Sequence, residues 1–213
     1  MTDAPSLVEA GRRLVAAGLS PGTSGNLSAR DGERILLSPS GIPLDELEAS
    51  ALSVVDLDGR HLRGPKPSKE VWLHRAMYRR DGATAVVVHT HSVHAVAASC
   101  LEPWDARTAL PPYTPYLPMK LGQVPLVPYA DPGDRAQAEA IEALSQPVRA
   151  VLLANHGPVV AGGTFAEAIA GAVEIEEAAR VTMLLGGRGR VLEEHRLLGL
   201  AARYGTPWAA STG

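Results

Sequence analysis

Cysteine is almost missing from this chain. Cys100 is the only one, which excludes an intrachain disulfide and any zinc cluster built on cysteine sulfur. No apolar run approaches the roughly 20 residues that a membrane span requires. Met1-Thr2-Asp3-Ala4-Pro5 has neither the basic nor the apolar region of a signal peptide. Basic charge is not in excess either: the formal net charge is -3 at pH 7, which argues against nucleic acid or an anionic membrane as the main partner. Internal repeats, low-complexity tracts and composition breaks are absent, so one domain over residues 1–213, in the cytoplasm, is the expectation. With 46% apolar and 20% charged residues, a substantial core can form and disorder is not expected.

What the chain does contain is Val86-Val87-Val88-His89-Thr90-His91. Three β-branched apolar residues run into two histidines two positions apart. Side chains alternate along a strand, so His89 and His91 are expected on one face. Two imidazoles at the end of a buried strand make half a metal site. The other half must come from elsewhere.

The patterning around this stretch alternates helix and strand. A helix is expected from Ser6 to Gly18, with Leu7, Val8, Leu14 and Val15 at helical spacing. Strands are expected near Asn26–Arg30 and Arg34–Ser38, joined by an Asp31-Gly32 hairpin turn, and at Leu52–Asp56. Ser68 is an expected N-cap for a helix to about Arg80, with Glu70 in its first turn. A strand over Ala85–Thr90 and a helix over Ser92–Cys100 follow. Glu102–Gly133 is proline-rich and reads as loop with short strands, the longest Val124–Tyr129; irregular stretches of that length are commonly functional. Then come a helix at Asp134–Leu144, a strand at Ala150–Ala154, a sharp turn at Asn155-His156-Gly157-Pro158 and a return strand at Val159–Ala161. Thr164 is placed to cap a long helix to Leu185, and Glu193–Tyr204 forms a last helix.

Candidate ligands for the second half are His156, at a strand end before a glycine, and Glu70, at a helix start. Catalytic sites for divalent ions use this mix of imidazole and carboxylate and leave a position open for substrate. Taken singly, each has a plain structural reading, as a turn histidine or a helix-start acid. His94 reads as structural or as support behind a site; His61, His74 and His195 read as structural. Thr23–Asn26, Ser40-Gly41 and Ser68-Lys69 are small-residue segments that can present N–H groups and hydroxyls to an anion, or serve as ordinary turns. Tyr113 and Tyr116 lie in the proline-rich stretch, where a phenol can serve as a general acid or simply pack.

Together, Gly22-Thr23-Ser24-Gly25-Asn26-Leu27-Ser28, Ser38-Pro39-Ser40-Gly41-Ile42-Pro43, Lys66-Pro67-Ser68-Lys69-Glu70, His89-Thr90-His91 and Asn155-His156-Gly157 resemble the class II aldolase/adducin family in order and spacing. The resemblance spans about residues 6–185. It implies an α/β fold, a three-layer α/β/α sandwich around a mainly antiparallel sheet. It implies Zn2+, or another divalent cation such as Mn2+ or Co2+, on His89, His91 and His156, with Glu70 as catalytic acid/base and possible fourth ligand. Gly25, Asn26, Ser40, Gly41, Ser68 and Lys69 match the positions that bind substrate phosphate. Lys69 stands where a small hydroxyl residue is often found, leaving its backbone N–H as the matching group. Family members are usually homotetramers with the site between subunits.

Within the family, Tyr113–Gly122, Pro125–Tyr129 and Pro132-Gly133-Asp134 are similar to the branch that decarboxylates 3-oxo-tetronate 4-phosphate. That resemblance implies a metal-dependent carbon–carbon lyase yielding dihydroxyacetone phosphate and carbon dioxide, with Tyr116 as proton donor and Tyr113 as second candidate. An aldolase cleaving a ketose 1-phosphate, or an epimerase or dehydratase of the same family, is the alternative. A non-catalytic adducin-like module is disfavoured, because the three histidines and the glutamate are all retained.

Overall fold

The computed structural model describes residues 3–210; the chain ends included in the 1–213 domain expectation lie outside the described residues. The elements in chain order are α1 (Ala4–Ala16), β1 (Asn26–Asp31), β2 (Arg34–Leu37), β3 (Ser53–Asp56), β4 (His61–Arg63), α2 (Val71–Arg80), β5 (Val86–His89), α3 (Val93–Ser99), α4 (Tyr116–Lys120), β6 (Leu126–Val127), α5 (Arg135–Ala143), β7 (Ala150–Leu153), β8 (Gly157–Gly162), α6 (Phe165–Leu185) and α7 (Glu194–Tyr204). The strands form one eight-stranded sheet in the order β4-β3-β2-β1-β5-β8-β7-β6. The β6–β7 pair is parallel and the other pairs are antiparallel.

Alternation along the strands divides the core in two. Leu27, Ala29, Val86, Val88, Leu152 and Val160 face α1, α3 and α6. Ile35, Leu37, Val87, Val151, Leu153 and Val159 face α2 and α5. The result is the three-layer α/β/α sandwich with a mainly antiparallel centre. β5 lies in the middle, buried on both faces, which is why its sequence is a continuous β-branched run rather than an alternating one.

Helix ends follow their side chains. The Asp3 carboxylate accepts from Ser6 N–H at the start of α1, and Asp134 does the same for Ala136 in α5. Thr164 Oγ1 accepts from Glu167 N–H at the start of the 21-residue α6, and Gly186 closes it with φ 54°.

Several expectations are corrected. The α2 helix begins at Val71, not after a Ser68 cap; Ser68 Oγ accepts from Glu70 N–H at 3.2 Å in the preceding turn, and Glu70 occupies the N-cap position. β5 stops at His89, because its partner β1 begins at Asn26 and Gly25, at φ 78°, turns the chain away. His91 is therefore outside the ladder, and its N–H donates to Leu19 O. The proline-rich stretch contains a helix, α4: Pro115 is its N-cap and Pro118 lies in its first turn, where a missing N–H costs nothing. The expected Val124–Tyr129 strand shrinks to β6, and the exposed edge strand β4 went unrecognised for lack of apolar alternation.

Candidate active site

The C-terminal end of β5 is where the separate pieces meet. His89 is on the same face of the sheet as Val87, toward α2, and is completely buried. Its Nδ1–H donates to Pro158 O at 2.9 Å, which leaves the Nε2 lone pair free to face outward from the strand. The turn between β7 and β8 brings in His156. Asn155 takes φ 55° there, the one non-glycine positive φ among the described residues and one that asparagine tolerates. Ser99, at the end of α3, holds this turn: its carbonyl accepts from Asn155 N–H and its Oγ from His156 N–H.

The three rings form a nearly equilateral triangle, with centroids 4.7, 4.8 and 4.9 Å apart and interplanar angles of 68°, 80° and 85°. Glu70 closes the group. Its Oε1 lies 3.2 Å from His156 Nε2 and its Oε2 lies 3.6 Å from His89 Nε2. One ligand atom from each of Glu70, His89, His91 and His156 falls within 4.8 Å of the others.

These donors suit a divalent ion. His156 is buried, its Nδ1 has no hydrogen-bond partner, and its Nε2 meets only the Glu70 carboxylate at 3.2 Å without hydrogen-bond geometry, an expensive state unless something else takes the lone pair. His91 Nε2 and His89 Nε2 face each other at 2.9 Å. Three imidazoles and a carboxylate are the catalytic ligand chemistry of zinc and similar ions. Burial pushes the His89 and His91 rings below the usual histidine range, His156 adding to the effect on both, so these rings are neutral and their lone pairs available. Burial works against the charge on Glu70, but His156, His89 and the Asn26 amide outweigh it and hold the carboxyl well below its ordinary range.

Glu70, His91 and His156 line a cavity of about 340 Å³. All six residues expected to bind phosphate, Gly25, Asn26, Ser40, Gly41, Ser68 and Lys69, line the same cavity. Main-chain contacts join the second and third segments, Ser40 N–H donating to Lys66 O and Pro39 bridging Pro67, and the Asn26 side chain ties the first to Glu70. Glycine is required at position 25, since a Cβ there would lie 2.8 Å from His89 O and 2.7 Å from Ser20 Oγ. Lys69 is exposed at the rim. The Asn26 side chain is engaged within the protein: Nδ2 donates to Glu70 Oε2 at 2.7 Å and Oδ1 accepts from His74 Nε2.

Among the described residues, neither Tyr113 nor Tyr116 lines this cavity. Tyr116 opens α4 with 55% of its surface exposed, and Tyr113 is half-buried against Gly189. A single chain does not bring either phenol to the cluster. A second cavity, about 550 Å³, opens near the N-terminal end of β5 among Thr84, Lys120 and Arg149, and contains none of the Glu/His group. Sequence reasoning passed over Asn155 as a shaping residue and His74 as a buried one. The signal for His74 was its spacing, four residues after Glu70 and four before Tyr78.

The model of the Class II Aldolase and Adducin N-terminal domain matches residues 5–183, and the chain belongs to that family. A 3-oxo-tetronate 4-phosphate decarboxylase from Pectobacterium atrosepticum is 43% identical over 183 residues, covering 85% of this chain and 84% of that protein. An L-fuculose phosphate aldolase from Escherichia coli is 31% identical over 180 residues, covering 84% and 81%. The crystal structure of YgbL from Klebsiella pneumoniae superimposes with a TM-score of 0.88 at 42% identity, covering 92% of this chain and 96% of that one. Among the described residues, no helix is long and apolar enough to cross a membrane.

Proposed function

We propose that this lyase of the class II aldolase and adducin family removes carbon dioxide from 3-oxo-tetronate 4-phosphate and releases dihydroxyacetone phosphate. The observation that carries the reading is the convergence of Glu70, His89, His91 and His156 at a cavity walled by Gly25, Asn26, Ser40, Gly41, Ser68 and Lys69. The choice of decarboxylation is supported by 43% identity to the relative named for that reaction, against 31% to an aldolase.

On this reading His89, His91 and His156, with Glu70 as possible fourth ligand, hold Zn2+ or a similar divalent ion. Such an ion supplies positive charge against the negative charge that develops at the substrate ketone when the carbon–carbon bond breaks. The phosphate is anchored by N–H groups and hydroxyls of the three small-residue segments, with Lys69 adding charge at the rim, and this fixes the ketone above the histidines. The bond between C1 and C2 breaks, C1 leaves as carbon dioxide, and the electron pair passes to the C2–C3 enediolate. Glu70, ionised and within reach of the cavity, manages the proton on the C2 hydroxyl. C2 then takes a proton, and Tyr116 is assigned as its donor from a neighbouring subunit, since its exposure leaves it free to reach a second chain. Residues 1–213 act as one catalytic domain in a cytoplasmic homotetramer with the site at the subunit interface.

A panel of phosphorylated four- to six-carbon keto acids and ketoses, scored for carbon dioxide and for dihydroxyacetone phosphate, tests the proposal. Equal amounts of both products from 3-oxo-tetronate 4-phosphate are expected. Triose phosphate from a ketose 1-phosphate, without carbon dioxide, would make the protein an aldolase instead.

A further inference from the structure

A line of buried polar groups leads away from Glu70 between α2 and the sheet. The Asn26 amide donates to Glu70 Oε2 at 2.7 Å. Asn26 Oδ1 meets His74 Nε2 at 2.5 Å, His74 Nδ1 meets Ser28 Oγ at 2.8 Å, and Ser28 Oγ meets Tyr78 Oη at 2.8 Å. All these side chains are buried, His74 with 0% exposure. The line exists because two periods coincide. Glu70, His74 and Tyr78 recur every fourth residue, about 6 Å along a helix; Asn26 and Ser28 recur every second residue, about 6.7 Å along a strand. One side of α2 therefore stays in step with one face of β1.

The direction of every hydrogen bond follows from the acid end. The Asn26 side chain turns its NH2 to the carboxylate and its carbonyl to His74. His74 must then donate from Nε2. Burial pushes this ring down to about 4, with Glu70 opposing, so it is neutral at pH 7 and its Nδ1 is a lone pair. Ser28 O–H donates to that lone pair, and Tyr78 O–H donates to Ser28. With the Asn26 amide so turned and the ring neutral, this is the assignment that satisfies all four contacts. Apolar residues at 28 and 74 would fill the same interface without the cost of burying a polar line, yet this line runs to the acid.

We infer that His74 is a positioning residue for Glu70: held as the Nε2–H tautomer, it fixes which way the Asn26 amide points and thereby the rotamer of the carboxylate. The inference rests on the reading of Glu70 as the group that handles the substrate's proton.

The test compares His74→Leu, His74→Gln and Glu70→Gln as metal-loaded, full-length enzymes. Glutamine keeps an N–H within reach of Asn26 and a carbonyl for Ser28. His74→Leu is expected to lower kcat about ten- to hundredfold at unchanged metal content, with KM within about twofold of wild type and His74→Gln within about threefold in kcat. Wild-type kcat in folded His74→Leu, alongside an inactive Glu70→Gln, overturns the inference and leaves Glu70 in its role. Full activity in Glu70→Gln overturns the role of Glu70 and the inference with it. Nitrogen NMR of the wild-type ring decides the matter if His74→Leu does not fold: a proton on Nε2 with Nδ1 bare at neutral pH supports the inference, and a proton on Nδ1 overturns it.

Discussion

Two opposing demands meet in the side chain of Glu70. It is buried, which disfavours charge, and it is surrounded by His156, His89 and Asn26, which favour it. Glu70→Gln removes the charge and the proton-accepting oxygen but keeps the shape and all three imidazoles. It is expected to retain bound metal and to lose about a hundredfold or more in kcat, read from metal content and steady-state rates on the same preparation. Near wild-type kcat would remove Glu70 from the chemistry. His156 makes the complementary case. Its ring nitrogens make no geometrically sound hydrogen bond and its Nε2 faces Glu70 and the other two imidazoles, so His156→Ala is expected to weaken metal binding by about a hundredfold, measured by competition with a chelator; unchanged affinity would show that two histidines suffice.

The site depends on β1 and β5 being held in one register, with Asn26 opposite His89. Gly25 sits at that join. Gly25→Ala puts a methyl group against His89 O and asks alanine to adopt φ 78°, so a loss of about 1–3 kcal/mol is expected, checked by the denaturant midpoint; an unchanged midpoint would mean that β1 shifts freely. The same elements explain what was legible in the sequence. β5, β7 and α6 announced themselves because burial on both faces, or a cap with a long apolar face, leaves a strong local pattern. His156 and Glu70 were legible only as part of a set, since a histidine in a turn and an acid at a helix start have no chemistry on their own. Strand alternation was an incomplete reason for pairing His89 with His91: the ladder ends at His89, and the contact of His91 with Leu19 O carries its ring to the cluster. α4 was hidden by prolines that a first turn accepts. His74 read as an ordinary polar-context residue because only tertiary contact puts it under the sheet.

At the scale of the whole molecule, buried neutral histidine makes stability depend on pH. His74 titrates near 6.5 when exposed and near 4 in the fold. The unfolded chain therefore takes up the proton first as pH falls. The stability is fully present above about pH 6.5 and is lost on the way down to about pH 4, on the order of 3 kcal/mol from this ring. Denaturant midpoints at pH 7 and pH 4, with chelator present, should differ less in His74→Gln than in wild type; equal differences would contradict the assignment. If Tyr116 serves a neighbouring subunit, mixing inactive Glu70→Gln and inactive Tyr116→Phe chains during refolding should restore part of the activity, because some sites then receive both intact groups. No recovery would place the donor within the same chain as Glu70. The central claim is that one divalent ion, gripped by His89, His91 and the sequence-distant His156, enables carbon dioxide to leave a phosphorylated keto acid. The direct measurement is carbon dioxide release from 3-oxo-tetronate 4-phosphate as metal is added back to chelated protein. The account predicts a rate that rises in proportion to bound metal and levels off at one ion per chain; full turnover by the metal-free protein would contradict it.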